Sequence, residues 1–210
     1  MINLPVYVIN LRGRSDRRQQ VLGELGSAGV NPAQIRLVEA QRSLRNGAIG
    51  CAMSHAFALS RFLFESDAPF CWIVEDDFQL KERERIAEIP PLLLAHDEWD
   101  VMMLACNTPY AVSGTSFTNV YRVHNAQTTS SYLVTRRYAP TLIRLFYESA
   151  ERMSSSAMMF EKSIQKHFYA IDMAWKALQI SDRFFAVIPQ ISHQRDSYSD
   201  VEQKDVSYGV

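Results

Sequence analysis

Glu75, Asp76 and Asp77 stand in a row directly after the apolar run Phe70-Cys71-Trp72-Ile73-Val74. Three adjacent carboxylates repel one another unless water or a cation intervenes. The five apolar residues before them have the length and character of a strand covered on both faces, so the carboxylates emerge where that strand leaves its sheet. In open α/β sheets, ligands bind beyond the carboxyl ends of strands. If the pleat continues, Glu75 and Asp77 face one side and Asp76 the other. Glu75 and Asp77 then suit a divalent metal, Mn²⁺ or Mg²⁺, which prefers hard oxygen ligands. Asp76 is left to orient a ribose or an acceptor. A cation in that place neutralises a diphosphate leaving group, as in transfer from a nucleotide-sugar. The plain alternative is a solvated acidic strand end, because short charge runs are common on surfaces.

The elements that must position these groups can be read from hydrophobic period and punctuation. Val6 to Ile9 reads as a strand, and a helix opens at Asp16 with Val21, Leu22 and Leu25 on one face. Ile35 to Val38 is a second strand, and Gly47 to Gly50 leads into a helix through Leu63 that stops before Pro69. After the carboxylates, a helix is expected across Arg85 to His96, a buried strand at Val101 to Leu104 and a turn-rich loop over Asn107 to Thr118. Strands at Val120 to Val123 and Ser131 to Thr135, a helix from Tyr138 to Glu151, a helix from Asp172 to Leu178 and a strand at Phe184 to Ile188 complete the reading. The alternation implies an α/β fold with an open, mostly parallel twisted sheet flanked by helices. Residues 1–195 are expected to form a single catalytic domain and 196–210 a polar tail or flap.

Composition sets limits on partners. With 47% hydrophobic residues among 210, the chain can bury a substantial core without staples. Its 22 Lys and Arg against 23 Asp and Glu give a net charge of -1, which excludes a global field for nucleic acid or an anionic membrane, so any polyanion is met locally. Cys51, Cys71 and Cys106 are odd in number and sit in apolar surroundings, which reads as reduced, buried thiols. No signal is visible at the start, and the apolar run Pro5 to Ile9 is far below the roughly 18 residues that span a bilayer. The expected location is the cytoplasm, with at most a peripheral place at the inner face of the membrane. Oligomeric state leaves no mark in the sequence.

Three segments in order carry a resemblance. They are Val8-Ile9-Asn10-Leu11 followed by Arg14, Asp16, Arg17 and Arg18; Gly47 through His55; and Trp72 through Asp77. Together they resemble glycosyltransferase family 25, which includes bacterial lipooligosaccharide galactosyltransferases and is related to the collagen galactosyltransferases. Ser131 to Ala139, Tyr169 to Asp172 and Ser197 to Val201 resemble downstream stretches more loosely. The resemblance implies a GT-A-like nucleotide-diphospho-sugar transferase fold, a UDP-hexose donor, a divalent metal and transfer with inversion to a glycan or glycolipid hydroxyl. Members often run longer at the C-terminus, so a reduced form is implied here.

The remaining candidates follow from that expectation, each with a plainer reading beside it. Asn10 and Arg14 lie where a nucleoside approaches, and an Arg fork fits a diphosphate. Gly47 and Gly50 permit close backbone approach at a helix entrance, with Ser54 and His55 facing the donor. A buried, satisfied core histidine explains His55 equally well. His193 is implied as a late metal ligand beside Asp77 and Glu75. Asp172 leads as catalytic base, with Glu75 second, although an ordinary N-cap explains Asp172 too. Asp76 completes the catalytic group. Thr128 to Ser131 offer hydroxyls to a sugar, while Tyr110, Trp175 and Tyr198 read first as packing. Two other functions use the same carboxylates: a non-catalytic nucleotide-sugar-binding protein, and a metal-dependent nucleotidyl or phosphoryl transferase. Against the latter, no Gly-rich loop followed by Lys and Ser or Thr is present.

Overall fold

Alternating side chains decide the layers. In the computed structural model, which describes residues 2–81, 83–89, 97–107, 112–199 and 204–206, β1 (Val6–Asn10) sends Tyr7 and Ile9 to one face of a sheet and Val6 and Val8 to the other. All four are buried, so this strand is covered on both sides. Helix α1 (Ser15–Ser27) returns the chain to β2 (Ile35–Glu39), and α2 (Gly47–Glu65) leads to β3 (Phe70–Glu75) and the short β4 (Phe78–Leu80). Next come β5 (Val101–Met103), β6 (Val112–Gly114), β7 (Val120–Val123) and β8 (Ser131–Thr135). The helices α3 (Ala139–Ser155), α4 (Lys162–Tyr169), α5 (Ile171–Ala174) and α6 (Lys176–Ser181) follow. The chain continues through β9 (Phe184–Val187), β10 (Ser192–Gln194), β11 (Ser197–Ser199) and β12 (Lys204–Val206).

The main sheet has the order β2-β1-β3-β8-β5-β9-β7-β6. Strands β1, β2, β3, β5, β9 and β6 point one way, and β8 and β7 run against them. This is the expected mostly parallel α/β sheet with helices on its faces. One face packs on α2 and α3 through Ala52, Ala56, Leu59, Leu142 and Phe146. The small residues Ala52 and Ala56 lie one turn apart, which lets α3 approach closely. By composition α2 is long and apolar enough to cross a membrane, but in this fold its Ala52-Ala56-Leu59 face is buried in that core. The other face packs on α1 through Val21 and Leu25, with Trp72 and Val74 beneath.

Several expected elements differ. Of the helix expected across Arg85 to His96, the described part includes a 3-10 stretch at Arg83–Glu88, and 90–96 lie outside the described residues. The helix read over Asp172 to Leu178 is two short ones, because the chain turns at Trp175 to bury that ring against Tyr132 and Phe184. Within Asn107 to Thr118, Val112–Gly114 forms β6. Part of the expected tail pairs as β11 with β12. Tyr110, Asp200 and Val201 lie outside the described residues.

Candidate active site

The end of β3 is fixed between two neighbours. Ile9 of β1 pairs with Glu75 on one side, and the Glu75 amide donates to the Ser130 carbonyl (2.8 Å), just before β8, on the other. Because β8 runs against β3, its beginning meets the carboxyl end of β3. That brings Asn10, the three carboxylates and the Thr128 to Ser131 segment to one edge.

Asp76 is the most firmly held of the three. Asn10 Nδ2 donates to its Oδ2 (2.7 Å) and Arg17 to its Oδ1 (2.9 Å), with all three residues buried. Burial raises the Asp76 carboxyl above its ordinary value, against the pull of Arg17 and Asn10. Asn10 also donates to the Arg14 carbonyl (3.0 Å), so it ties the loop after β1 to the cluster.

Asp77 is differently placed. Gln194 Nε2 donates to its Oδ2 (2.9 Å), and the Arg195 amide donates to its backbone carbonyl (2.7 Å). Arg17 lies 3.8 Å from Oδ2. Its other oxygen, Oδ1, is buried and accepts no hydrogen bond from the described residues. Burial, then the charges of Glu75 and Asp76, push the Asp77 carboxyl up to about 7. A buried carboxylate oxygen with no donor is costly unless a ligand supplies the missing positive charge.

Glu75 faces the α2 side of the cluster. Its Oε1 lies 3.3 Å from His55 Nε2 and accepts from Thr129 Oγ1 (3.0 Å). Burial raises its carboxyl, but the His55 and Thr129 contacts and the Arg17 charge outweigh this and leave it below its ordinary value. His55 is fully buried, stacks on Tyr132 at 5.8 Å and meets its hydroxyl at 3.1 Å through Nδ1. It is thus a satisfied core histidine whose partners are side chains, and it orients Glu75 from behind. Cys51, one turn earlier on α2, completes a group with His55 and Glu75 whose ligand-type atoms lie within 4.8 Å of one another.

Thr128, next to Thr129, holds φ at 86°, a left-handed conformation rare for a β-branched residue. Strain of that kind, of order 1–3 kcal/mol, persists where surrounding contacts over-determine the backbone. Gln127 supplies them: it exchanges bonds with Asn107 (2.7 and 2.8 Å) and donates to Met173 sulfur. The same link draws α5 toward the cluster. Asp172 lies inside α5, in its first turn, and the N-cap position belongs to Ala170, so the capping explanation does not apply. Burial, then the charge of Glu75, raises the Asp172 carboxyl.

Other candidates have different work. A Cβ on Gly50 would sit 2.3 Å from the Gln41 carbonyl oxygen. Ser54 Oγ donates to the Gly50 carbonyl (2.6 Å) and accepts from the Gln41 amide (2.7 Å). Gly50 and Ser54 therefore lock the loop before α2 onto the helix. The helix entrance at Gly47 is capped by Asn46, whose Oδ1 accepts from the Ala48 amide (3.0 Å). The Arg14 guanidinium donates to Asp16 (3.1 and 3.2 Å), which holds that exposed carboxyl at about 2. Among the described residues no hydrogen bond joins His193 to Asp77: on β10 it is Gln194 that reaches the carboxylate, and strand alternation points His193 to the other side. Asp77, Glu75 and His193 do not form a ligand group among the described residues. Trp175 is core.

Residues 30–159 match the model of glycosyltransferase family 25 (LPS biosynthesis protein), a span that contains α2 and all three carboxylates. The chain belongs to glycosyltransferase family 25. Solved structures similar to this glycosyltransferase include one involved in the glycosylation of the major capsid of PBCV-1, at TM-score 0.54 and 9% identity, covering 95% of this chain and 96% of that one. A mannose-1-phosphate geranyltransferase from Thermus thermophilus is similar at TM-score 0.52 and 14% identity, covering 93% and 75%. A197 from STIV is similar at TM-score 0.50 and 11% identity, covering 90% and 83%. At these identities the likeness is one of fold. No curated protein matches the chain.

Within this family 25 enzyme, residue types alone understated Arg17, whose long side chain reaches across 59 residues of sequence to Asp76. They gave no signal for Gln194, Tyr132 or Cys51 as neighbours of the cluster. The place of β8 beside β3, the pairing of β10 with β4 and the packing of α2 on the sheet bring those three to the cluster.

Proposed function

We propose that this glycosyltransferase moves a hexose, galactose or glucose, from a UDP-sugar to an acceptor hydroxyl of a lipooligosaccharide or other glycan, with metal assistance and inversion. The observation that carries the reading is the buried Asp77 Oδ1, which accepts no hydrogen bond from the described residues while its carboxyl is held up to about 7. A cation beside it relieves both the lost hydrogen bond and the repulsion from Glu75 and Asp76. The hard oxygens of Asp77 and Glu75 suit Mn²⁺ or Mg²⁺, and His193 is left out of the set. Such an ion supplies charge neutralisation to a departing diphosphate.

The chain's own residues supply the rest. Asp76, fixed by Asn10 and Arg17, presents a positioned acceptor for a ribose hydroxyl. Glu75, fixed by His55 and Thr129, stays ionised and orients the sugar or the acceptor. Asp172 takes the proton of the acceptor hydroxyl as its oxygen bonds to the anomeric carbon and the bond to the diphosphate breaks. Its raised carboxyl makes it the stronger base of the two, since Glu75 is held low. Release of UDP and of the proton from Asp172 closes the cycle.

The test is turnover of UDP-galactose and UDP-glucose with and without Mn²⁺, in the wild type and in Asp77→Ala, with thermal melts of both proteins. The expected result is metal-dependent turnover that falls by more than about a hundredfold in the variant. UDP-sugar with Mn²⁺ raises the wild-type melting temperature by mass action and leaves the variant unmoved. Wild-type turnover in a folded Asp77→Ala protein removes the metal assignment.

A further inference from the structure

Helix α4 is built the wrong way round for a core helix. Its one buried residue is the polar Gln165, which accepts from Asn46 Nδ2 (3.3 Å) and donates to the Phe160 carbonyl (2.6 Å). Ile164 and Phe168, one turn apart, form an apolar stripe that faces out. The segment before it continues the pattern. Met158 is 100% exposed and Met159 76%, with Phe160 exposed beside them, and Leu44 at 91% stands across a groove of about 640 Å³. Large apolar side chains clustered at full exposure mark a surface that another phase or molecule covers.

Charge identifies the partner. Over 40–46 and 154–168 the chain carries four cations, Arg42, Arg45, Lys162 and Lys166, against one carboxylate, Glu161. The chain as a whole is at -1. Outward apolar tips ringed by Lys and Arg are the pattern of a helix lying in an anionic bilayer surface. A second copy of the chain fits less well, because a two-fold interface lays the patch on itself and brings these cations against one another.

We infer that the surface formed by Leu44, the segment 158–160 and the outer face of α4 docks on an anionic lipid bilayer. The docked face borders the elements that carry the site, since Asn46 at the entrance of α2 donates to Gln165 of α4 and α4 runs through Ala170 directly into α5, which carries Asp172. An acceptor carried in the same membrane reaches the site from that side.

Sedimentation with vesicles tests this without donor or metal, so the outcome is independent of the transfer reading. One set is phosphatidylcholine alone, and the other contains roughly one third phosphatidylglycerol. The wild type is expected to sediment with the anionic vesicles, to stay in solution with the neutral ones and to be released by salt. Met158→Ser with Phe160→Ser and Phe168→Ser abolishes binding while the thermal melt is unchanged. Arg42→Glu with Arg45→Glu weakens it at least about twentyfold. A wild type that stays in solution with anionic vesicles overturns the inference, as does a serine variant that binds like the wild type. A concentration-dependent dimer that the serine substitutions dissolve, with no vesicle binding, overturns it in favour of self-association.

Discussion

Asp77 receives opposed instructions from its surroundings, and they can be separated by pH. Its carboxyl moves from an ordinary 3.8 to about 7 in the fold, so the folded chain keeps a proton that the unfolded chain gives up. That contribution to stability is complete below pH 3.8 and is lost as pH rises through about 7. Glu75 runs the other way, since its lowered carboxyl contributes above its ordinary 4.5 and the contribution is lost in acid. The metal-free wild type and Asp77→Asn differ only in the first effect. We expect the variant to melt higher by about 4 °C at about pH 8, with the gap narrowing as pH falls through about 7 and closed only below pH 3.8. A gap that does not change with pH contradicts the assigned burial of this group. Asp172 predicts a kinetic change instead. Asp172→Asn keeps donor affinity, measured by calorimetry, and loses about 10²–10⁴-fold in kcat; an unchanged kcat removes it from the mechanism. At this scale the carboxylates and Asn10 were readable, because their types and place after a buried strand carry the signal. Arg17 was not, since a basic residue in a first helical turn looks solvated until the fold buries it.

Helices and strands differ in how much of themselves they show. The strands around the site are legible because burial on both faces leaves unbroken apolar runs, as in Phe70 to Val74. Helix α4 is illegible for the opposite reason: Ile164 and Phe168 face water and Gln165 faces in, so its period points away from the core. Strands β4 and β10 have three residues each and pair only with one another, too short for any pattern. Gly50 was noticed for the right property, the absence of a Cβ, but the backbone that approaches it belongs to Gln41 rather than to a donor. Gly50→Ala should therefore act as an overpacking substitution. We expect a loss of about 1–3 kcal/mol in urea denaturation, with the Gln41 amide freed from Ser54 and exchanging faster with solvent. A variant as stable as the wild type contradicts the packing of this loop.

For the whole molecule, the mostly parallel sheet follows from the alternation of strand and helix, but its order does not. Nothing in residues 131–135 announces that β8 enters antiparallel between β3 and β5. That insertion lets one edge collect the ends of β1 and β3 together with the beginning of β8. It also has a consequence in time. The bond from Asn10 to Asp76 spans 66 residues, that from Thr129 to Glu75 spans 54, and that from Gln194 to Asp77 spans 117. A ribosome delivers the chain from the N-terminus, so the acidic triplet leaves the exit tunnel long before its last donor is made. Until β10 arrives, Asp77 has no Gln194 to steady it. The acidic edge is thus among the last parts of the molecule to be completed, since the Gln194 that bonds Asp77 lies 117 residues further along the chain.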